Sequence, residues 1–288
     1  MILVRQLFLV LFLACLFPPV VSKAETNVVC LRVVSLAPSL TELVCALGLG
    51  DRLVGRSSAC DYPPSVCQLP VAGGFGRPQL EMVENLKPDV VLATDVEKPG
   101  ALHRLEKMGV RVLILPCEGW TDLMSAAREI SRELGQPARG EEWVKEMETR
   151  RATLSSRTAK YFVGREKPRV YVEVWGDPLT TVSGTTFVHD LVGLAGGHNI
   201  AEGLKGRYVH ISSEWVIRED PDVILLAYML PGMAAPERLA RRPGWDRIRA
   251  VQSGKVCTTI PPDWLLRPGP RMIEGAEAFA DWLMQHSP

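Results

Sequence analysis

Two stretches decide the fold: Glu81-Met82-Val83-Glu84-Asn85-Leu86-Lys87-Pro88-Asp89-Val90-Val91-Leu92 and Glu214-Trp215-Val216-Ile217-Arg218-Glu219-Asp220-Pro221-Asp222-Val223-Ile224-Leu225. Each reads as a short helix stopped by proline, then an apolar strand opened by aspartate. The interval from glutamate to proline is the same in both. One Pro-Asp-Val junction would be an ordinary helix-to-strand boundary. A second echo, Gly109 to Pro116 against Gly254 to Pro261, follows in the same order, so the sequence implies two lobes of like topology.

Outward from these stretches, short β-branched runs alternate with helical ones, the pattern of βαβ units and parallel sheets. Strands are expected at Arg32–Leu36, Leu53–Gly55, Asp89–Ala93, Val110–Leu115 and Arg169–Trp175. Helices are expected at Ser39–Leu47, Leu80–Leu86, Gly100–Met108 and Thr121–Leu134. Past Pro137 the texture changes to a charged, glycine-free stretch, Glu141–Phe162, with Trp143, Met147, Leu154 and Tyr161 at near-helical spacing. This predicts one helix of about 35 Å crossing between the lobes. The expected organisation is a leader over 1–24, an α/β lobe over 25–137, a connecting helix over 138–165 and a second α/β lobe over 166–288, with a ligand cleft between the lobes.

The leader follows secretory order: Arg5, an apolar run from Leu7 to Val21, and a Ser22-Lys23-Ala24 cleavage site. The expected location is the periplasm. Ala14-Cys15 is a weaker match to a lipid-attachment site, because Phe12 fits it poorly and the apolar run continues past the cysteine. The 288-residue chain carries 33 basic and 33 acidic side chains, and cleavage would leave 31 against 33. A balance so near zero gives no field for nucleic acid or anionic lipid. A monomer is expected.

Six cysteines follow the leader: Cys30, Cys45, Cys60, Cys67, Cys117 and Cys257. An even number in an exported chain points to bridges without choosing among pairings. Cys60 and Cys67 bracket a stiff Asp-Tyr-Pro-Pro-Ser-Val turn and are the candidate disulfide; Cys45, Cys117 and Cys257 read as small core residues. The spacings of a zinc site are absent.

Ligands of open parallel sheets bind beyond the carboxyl ends of strands. Pro38 and Ser39 follow the first strand, where Ser39 can cap a helix whose free N–H groups face the cleft. Phe75 projects from a glycine loop, Gly73-Gly74-Phe75-Gly76. Trp175 ends the strand that opens the second lobe, Tyr208 lies in the loop before Glu214, and Asp263 and Trp264 follow the last strand. Aromatic walls from two lobes suit a large flat ligand, each ring contributing about 1.5–3 kcal/mol through buried apolar surface.

In order and spacing, several segments resemble the substrate-binding proteins of ABC importers for vitamin B12, iron–siderophores and heme. They are Val33-Val34-Ser35-Leu36-Ala37-Pro38-Ser39 with Thr41-Glu42, Asp61-Tyr62-Pro63-Pro64, Leu80-Glu81 before Leu86-Lys87-Pro88-Asp89, Gly196-Gly197-x-Asn199-Ile200, and Asp263-Trp264-x-x-Arg267-x-Gly269-Pro270-Arg271. The second and last look most like the vitamin B12-binding branch. The resemblance implies a corrinoid ligand held by aromatics at Phe75, Tyr208 and Trp264 with the Asp263-Trp264 pair and Arg267, and no cofactor. A heme or ferric siderophore is the alternative. The sequence departs from the branch at Ala59, where its vitamin binders often carry a tyrosine, and at Thr181, where an aromatic can stand. It also implies a dimeric membrane permease as partner, met by Glu81 and Glu214, whose ordinary role would be to favour a helix N-terminus.

Enzyme motifs are missing: there is no Gly-x-Ser-x-Gly, Walker or Gly-x-Gly-x-x-Gly sequence. Asp89 and Asp222 open strands at the end away from the cleft, where a structural role is expected. Of the five histidines only His210 falls near a predicted cleft loop, as a candidate axial ligand to a corrin or heme metal. A secreted metal-dependent enzyme is the reading from another class.

Overall fold

The structure, a computed structural model, describes residues 30–229 and 236–286. The leader, its cleavage site and Cys15 lie outside the described residues. In the first lobe four parallel strands lie in the order Leu53–Arg56, Val33–Ser35, Val90–Ala93, Arg111–Ile114. In the second the order is His198–Asn199, Arg169–Glu173, Val223–Leu226, Val256–Cys257, again all parallel. Both sheets therefore run second, first, third, fourth.

The echoes in sequence are echoes in conformation. Lys87 and Asp220, each before the shared proline, are left-handed at φ 47° and 43°. The next aspartate then ties the junction to the first strand of its lobe. Arg32 N donates to Asp89 Oδ2 at 2.7 Å, and Arg169 N to Asp222 Oδ2 at 2.9 Å. Both carboxylates are thus engaged as acceptors from the backbone.

The connecting helix spans Pro137–Tyr161, 25 residues. It starts before Glu141 because Pro137, with no N–H to satisfy, suits a first turn. Gly140 belongs to it: a Cβ there would collide with the Ser131 hydroxyl, so the helix can approach Trp120–Glu133 closely only with glycine. The terminal helix Met272–His286 packs on both the connecting helix and the second lobe. Arg150 pairs with Glu274 and Glu277 at 2.9 and 2.6 Å, Arg157 with Asp281 at 3.0 Å, and Tyr161 Oη donates to Met284 O at 2.8 Å. One apolar core runs through this assembly, from Val33 and Leu40 by way of Val144 and Leu154 to Val170 and Phe279. A smaller cluster backs the outer face of each sheet.

The second lobe departs from the expected plan in one respect. Its opening strand stops at Glu173, and Trp175 begins a separate antiparallel sheet made of Trp175–Gly176, Leu179–Val182 and Tyr208–His210. Tyr208 therefore lies in a strand, not in a loop. Among the described residues no helix is long and apolar enough to cross a membrane.

Candidate functional site

A cavity of about 660 Å³ opens between the lobes. The first lobe contributes residues just past its strands: Pro38 and Ser39, Ala59, Thr94 to Val96, Cys117 and Glu118, with Phe75 from the hairpin Gly73–Gly74/Arg77–Pro78. Phe187, Arg207, Tyr208, Met229, Leu266, Arg267 and Pro268 face them. Phe75 is 44% exposed and Tyr208 51%. Large rings left open on the two walls of one cavity supply surface a flat guest can cover. Partial burial holds the Tyr208 phenol above its usual pKa, which keeps it protonated.

Beneath the rings lies a charged cluster joining segments far apart in the chain. Glu42 is 2% exposed, on the helix Pro38–Ala46. It accepts from Arg267 at 2.7 Å and from Arg271 Nε and Nη2 at 2.8 and 2.6 Å. Arg267 also donates to Asp61 at 2.8 Å and pairs with Asp263 at 3.2 Å; Arg271 stacks over the Tyr62 ring at 4.0 Å. The hydrogen bond from Arg267 holds the Asp61 carboxyl below the usual range. A carboxylate as dry as that of Glu42 persists only with paired charge and hydrogen bonds. Sequence reasoning missed Glu42 as the hub. The available signal was an acid among Leu40, Leu43 and Val44 on a helix, with two arginines four residues apart elsewhere.

The structure brings Pro38, Ser39, Phe75, Tyr208 and Arg267 to the cavity and leaves three expected residues outside its lining. Trp264 is half-buried and packs against the core. The helix Pro262–Leu266 lies so close to the terminal helix that a Cβ on Gly275 would collide with the Trp264 carbonyl oxygen. Leu266, Arg267 and Pro268 present the cavity wall in its place. Asp263 serves the charged cluster. Trp175 sits on the antiparallel sheet, its Nε1 donating to Asp177 O at 2.7 Å. His210, a candidate axial ligand, also lies outside the lining, its Nδ1 3.0 Å from Thr180 Oγ1. Thr181 is fully buried and donates to Val172 O at 2.7 Å, so that position belongs to the core, whereas Ala59 does line the cavity. Among the described residues no group of three or more His, Cys, Asp or Glu could hold a metal ion.

The cysteines correct another expectation. Cys60 is buried, 3.0 Å from Thr41 Oγ1, while the turn Pro64–Gln68 carries Cys67 to the surface; both are free thiols. Arg56 holds this loop, donating to the carbonyls of Ser57, Cys60 and Cys67 at 3.1, 2.9 and 3.1 Å. Cys257 is a core residue, but Cys117 faces the cavity, its thiol pushed up to about 11 by burial.

Glu81 and Glu214 are both exposed, each the second residue of its helix, Leu80–Asn85 and Ser213–Glu219. Hydrogen bonds from its own N–H and from Ser212 hold Glu214 below the usual carboxylate range.

Two lobes of one topology, a single crossing helix and an aromatic-walled cleft define a two-lobed ligand-binding protein. The chain belongs to the periplasmic binding protein family, whose profile matches residues 33–262. It is 30% identical over 255 residues to an ABC transporter substrate-binding lipoprotein of Bacillus subtilis, covering 87% of this chain and 79% of the relative. The periplasmic vitamin B12-binding protein of Vibrio cholerae superposes with a TM-score of 0.75 at 26% identity, over 88% of this chain and 97% of the other. A periplasmic heme-binding protein from Pseudomonas aeruginosa gives 0.76 at 30%, over 86% and 91%.

Proposed function

We propose that the protein is the substrate-binding component of an ABC importer, without catalysis, and that it captures a corrinoid in the cleft and delivers it to a membrane permease. One observation carries the reading: a cavity of about 660 Å³ walled by one exposed ring from each lobe, Phe75 and Tyr208, with Val96, Phe187, Met229 and Leu266 also in its lining. Such a cavity lies within the usual range for small-molecule sites and offers a flat guest two apolar faces. Similarity to a vitamin B12-binding protein supports it. On each lobe an exposed glutamate at a matching helix start gives a dimeric permease one carboxylate per half, suited to a bidentate contact with arginine.

Heme is the second reading, favoured by an equally similar heme-binding structure and by the Tyr208 phenol, a group able to ligate iron, in the cleft. Ligation of heme iron would require Tyr208 to give up its proton, whereas a corrinoid needs no ligand from the protein. Absorption spectra and calorimetry with cyanocobalamin, hemin and a ferric siderophore test the choice. Tight binding of cyanocobalamin is expected. Saturable binding of hemin alone, with a shifted Soret band, would overturn the corrinoid reading.

A further inference from the structure

Glu118 and Arg207 come from opposite lobes, both line the cavity, and they form an ion pair across it. Their side chains are 50% and 40% exposed, so the pair stands at the wet side of the cleft. Arg207 Nε is buried and has no protein acceptor. The other arginine of the cavity is committed, since Arg267 donates to Glu42 and Asp61. Asp95 adds a second acid to the lining.

A guest that fills the cleft strips water from this pair, and the atoms that the pair itself leaves unbonded, the second oxygen of Glu118 and the Nε of Arg207, then need partners or suffer the cost of desolvation. The two ends ask for opposite things. Glu118 needs a donor; Arg207 needs an acceptor. A carboxamide supplies both from one group. A carboxylate supplies only an acceptor, satisfying Arg207 while repelling Glu118 and Asp95.

We infer that Glu118 and Arg207 form the specificity element of the cleft, selecting macrocycles whose periphery bears carboxamides and rejecting those that bear carboxylates. The inference rests on the corrinoid reading and sharpens it, because corrinoids carry amide side chains whereas heme carries two carboxylates. Discrimination of this kind works through the group left unpaired by the wrong guest as much as through the hydrogen bonds made to the right one.

The test uses two ligands with one ring: dicyanocobinamide, with carboxamide side chains, and dicyanocobyrinic acid, with carboxylates. Calorimetry at pH 7 and fixed salt compares the intact protein with Glu118→Gln and Arg207→Gln, each checked for an unchanged melting temperature. The intact protein is expected to prefer the amide. Glu118→Gln should raise affinity for the carboxylate about tenfold with little change for the amide, and Arg207→Gln should lower carboxylate affinity by a similar factor. That reversal of sign is the diagnostic. A merely structural bridge would move both ligands in the same direction in both variants, and that outcome would overturn the inference. If neither corrin binds and hemin does, the corrinoid reading falls instead. The inference is then judged by the same reversal, with hemin against its bis-amide.

Discussion

The two lobes share strand order, left-handed junction, capping aspartate and exposed glutamate, yet they finish their first strands in opposite ways. Four residues after Arg32 stands Leu36, 1% exposed and packed in the apolar cluster behind the first sheet. Four residues after Arg169 stands Glu173, fully buried, accepting from both Arg242 nitrogens at 2.7 and 2.8 Å and from Tyr228 Oη. Around that carboxylate the second lobe builds what the first lacks. Gly176 of the antiparallel sheet lies so near that a Cβ there would sit 2.9 Å from Tyr228 Oη, and Met229, next in sequence after that tyrosine, lines the cleft. A common framework thus carries two different cleft walls, one set by apolar packing and the other by a charged anchor.

Removing the anchors puts this contrast under the greatest strain. Glu173→Ala leaves the half-buried Arg242 guanidinium and the Tyr228 hydroxyl without their shared partner, and denaturant unfolding should show a loss of about 3 kcal/mol. Leu36→Ala should cost about 2–5 kcal/mol as a cavity, without altering the second wall. If Glu173→Ala were neutral, the charged anchor would have no structural weight.

The rings come next. Phe75→Ala and Tyr208→Ala should each weaken ligand binding by about 1.5–3 kcal/mol, roughly 10- to 150-fold, with melting temperatures little changed. An effect confined to one ring would show a one-sided cleft. Trp264→Ala should do the reverse, lowering the melting temperature while affinity holds better.

The matched junctions should give smaller, matched losses. Asp89→Ala and Asp222→Ala are each expected to cost about 1 kcal/mol by urea midpoint, with Asp222 somewhat larger because it also pairs with Arg249 at 2.7 Å. Strongly unequal values would argue against equivalent roles.

Acid should then loosen the tie beneath the cleft. Asp61 has a lowered pKa in the folded state, so its contribution is present above the ordinary carboxylate range and is lost as pH falls through the lowered value. Asp61→Asn should flatten that part of the stability–pH curve. Smallest in stability but not in transport are Glu81→Ala and Glu214→Ala. Stability and ligand affinity should be unchanged while uptake falls, most in the double variant; docking of the intact protein should weaken as salt rises, and the double variant should be less sensitive to salt. Uptake at the normal rate in the double variant would leave both as helix-terminal residues only.

The framework was legible because its signals are local. Pro88 and Pro221 stop helices wherever the chain goes, and their aspartates follow at once. The antiparallel sheet was not, since Trp175–Gly176 and Tyr208–His210 are too short to show a period and the latter pairs with Leu179–Val182 across a long separation. Trp264 illustrates a different limit. Its neighbours Leu266 and Arg267 reach the cavity, and which side of a five-residue helix faces the cleft is decided by how that helix meets Gly275. Cys60 and Cys67 were close enough in sequence to suggest a bridge, but sequence spacing does not reveal that Arg56 already holds their loop by its carbonyls.

The connecting helix has a consequence for traffic. It is clasped at one end by Trp120–Glu133 and along its length by the terminal helix, so a large swing of one lobe would have to break Arg150 from Glu274 and Glu277 and Arg157 from Asp281. Solution scattering of empty and saturated protein should therefore give nearly equal radii of gyration. A carrier that scarcely changes shape on loading offers a transporter nearly the same outer face full or empty. Empty molecules then compete with loaded ones for the same dock, so delivery slows when carrier outnumbers cargo, and the work of emptying the cleft falls to the machine that receives it.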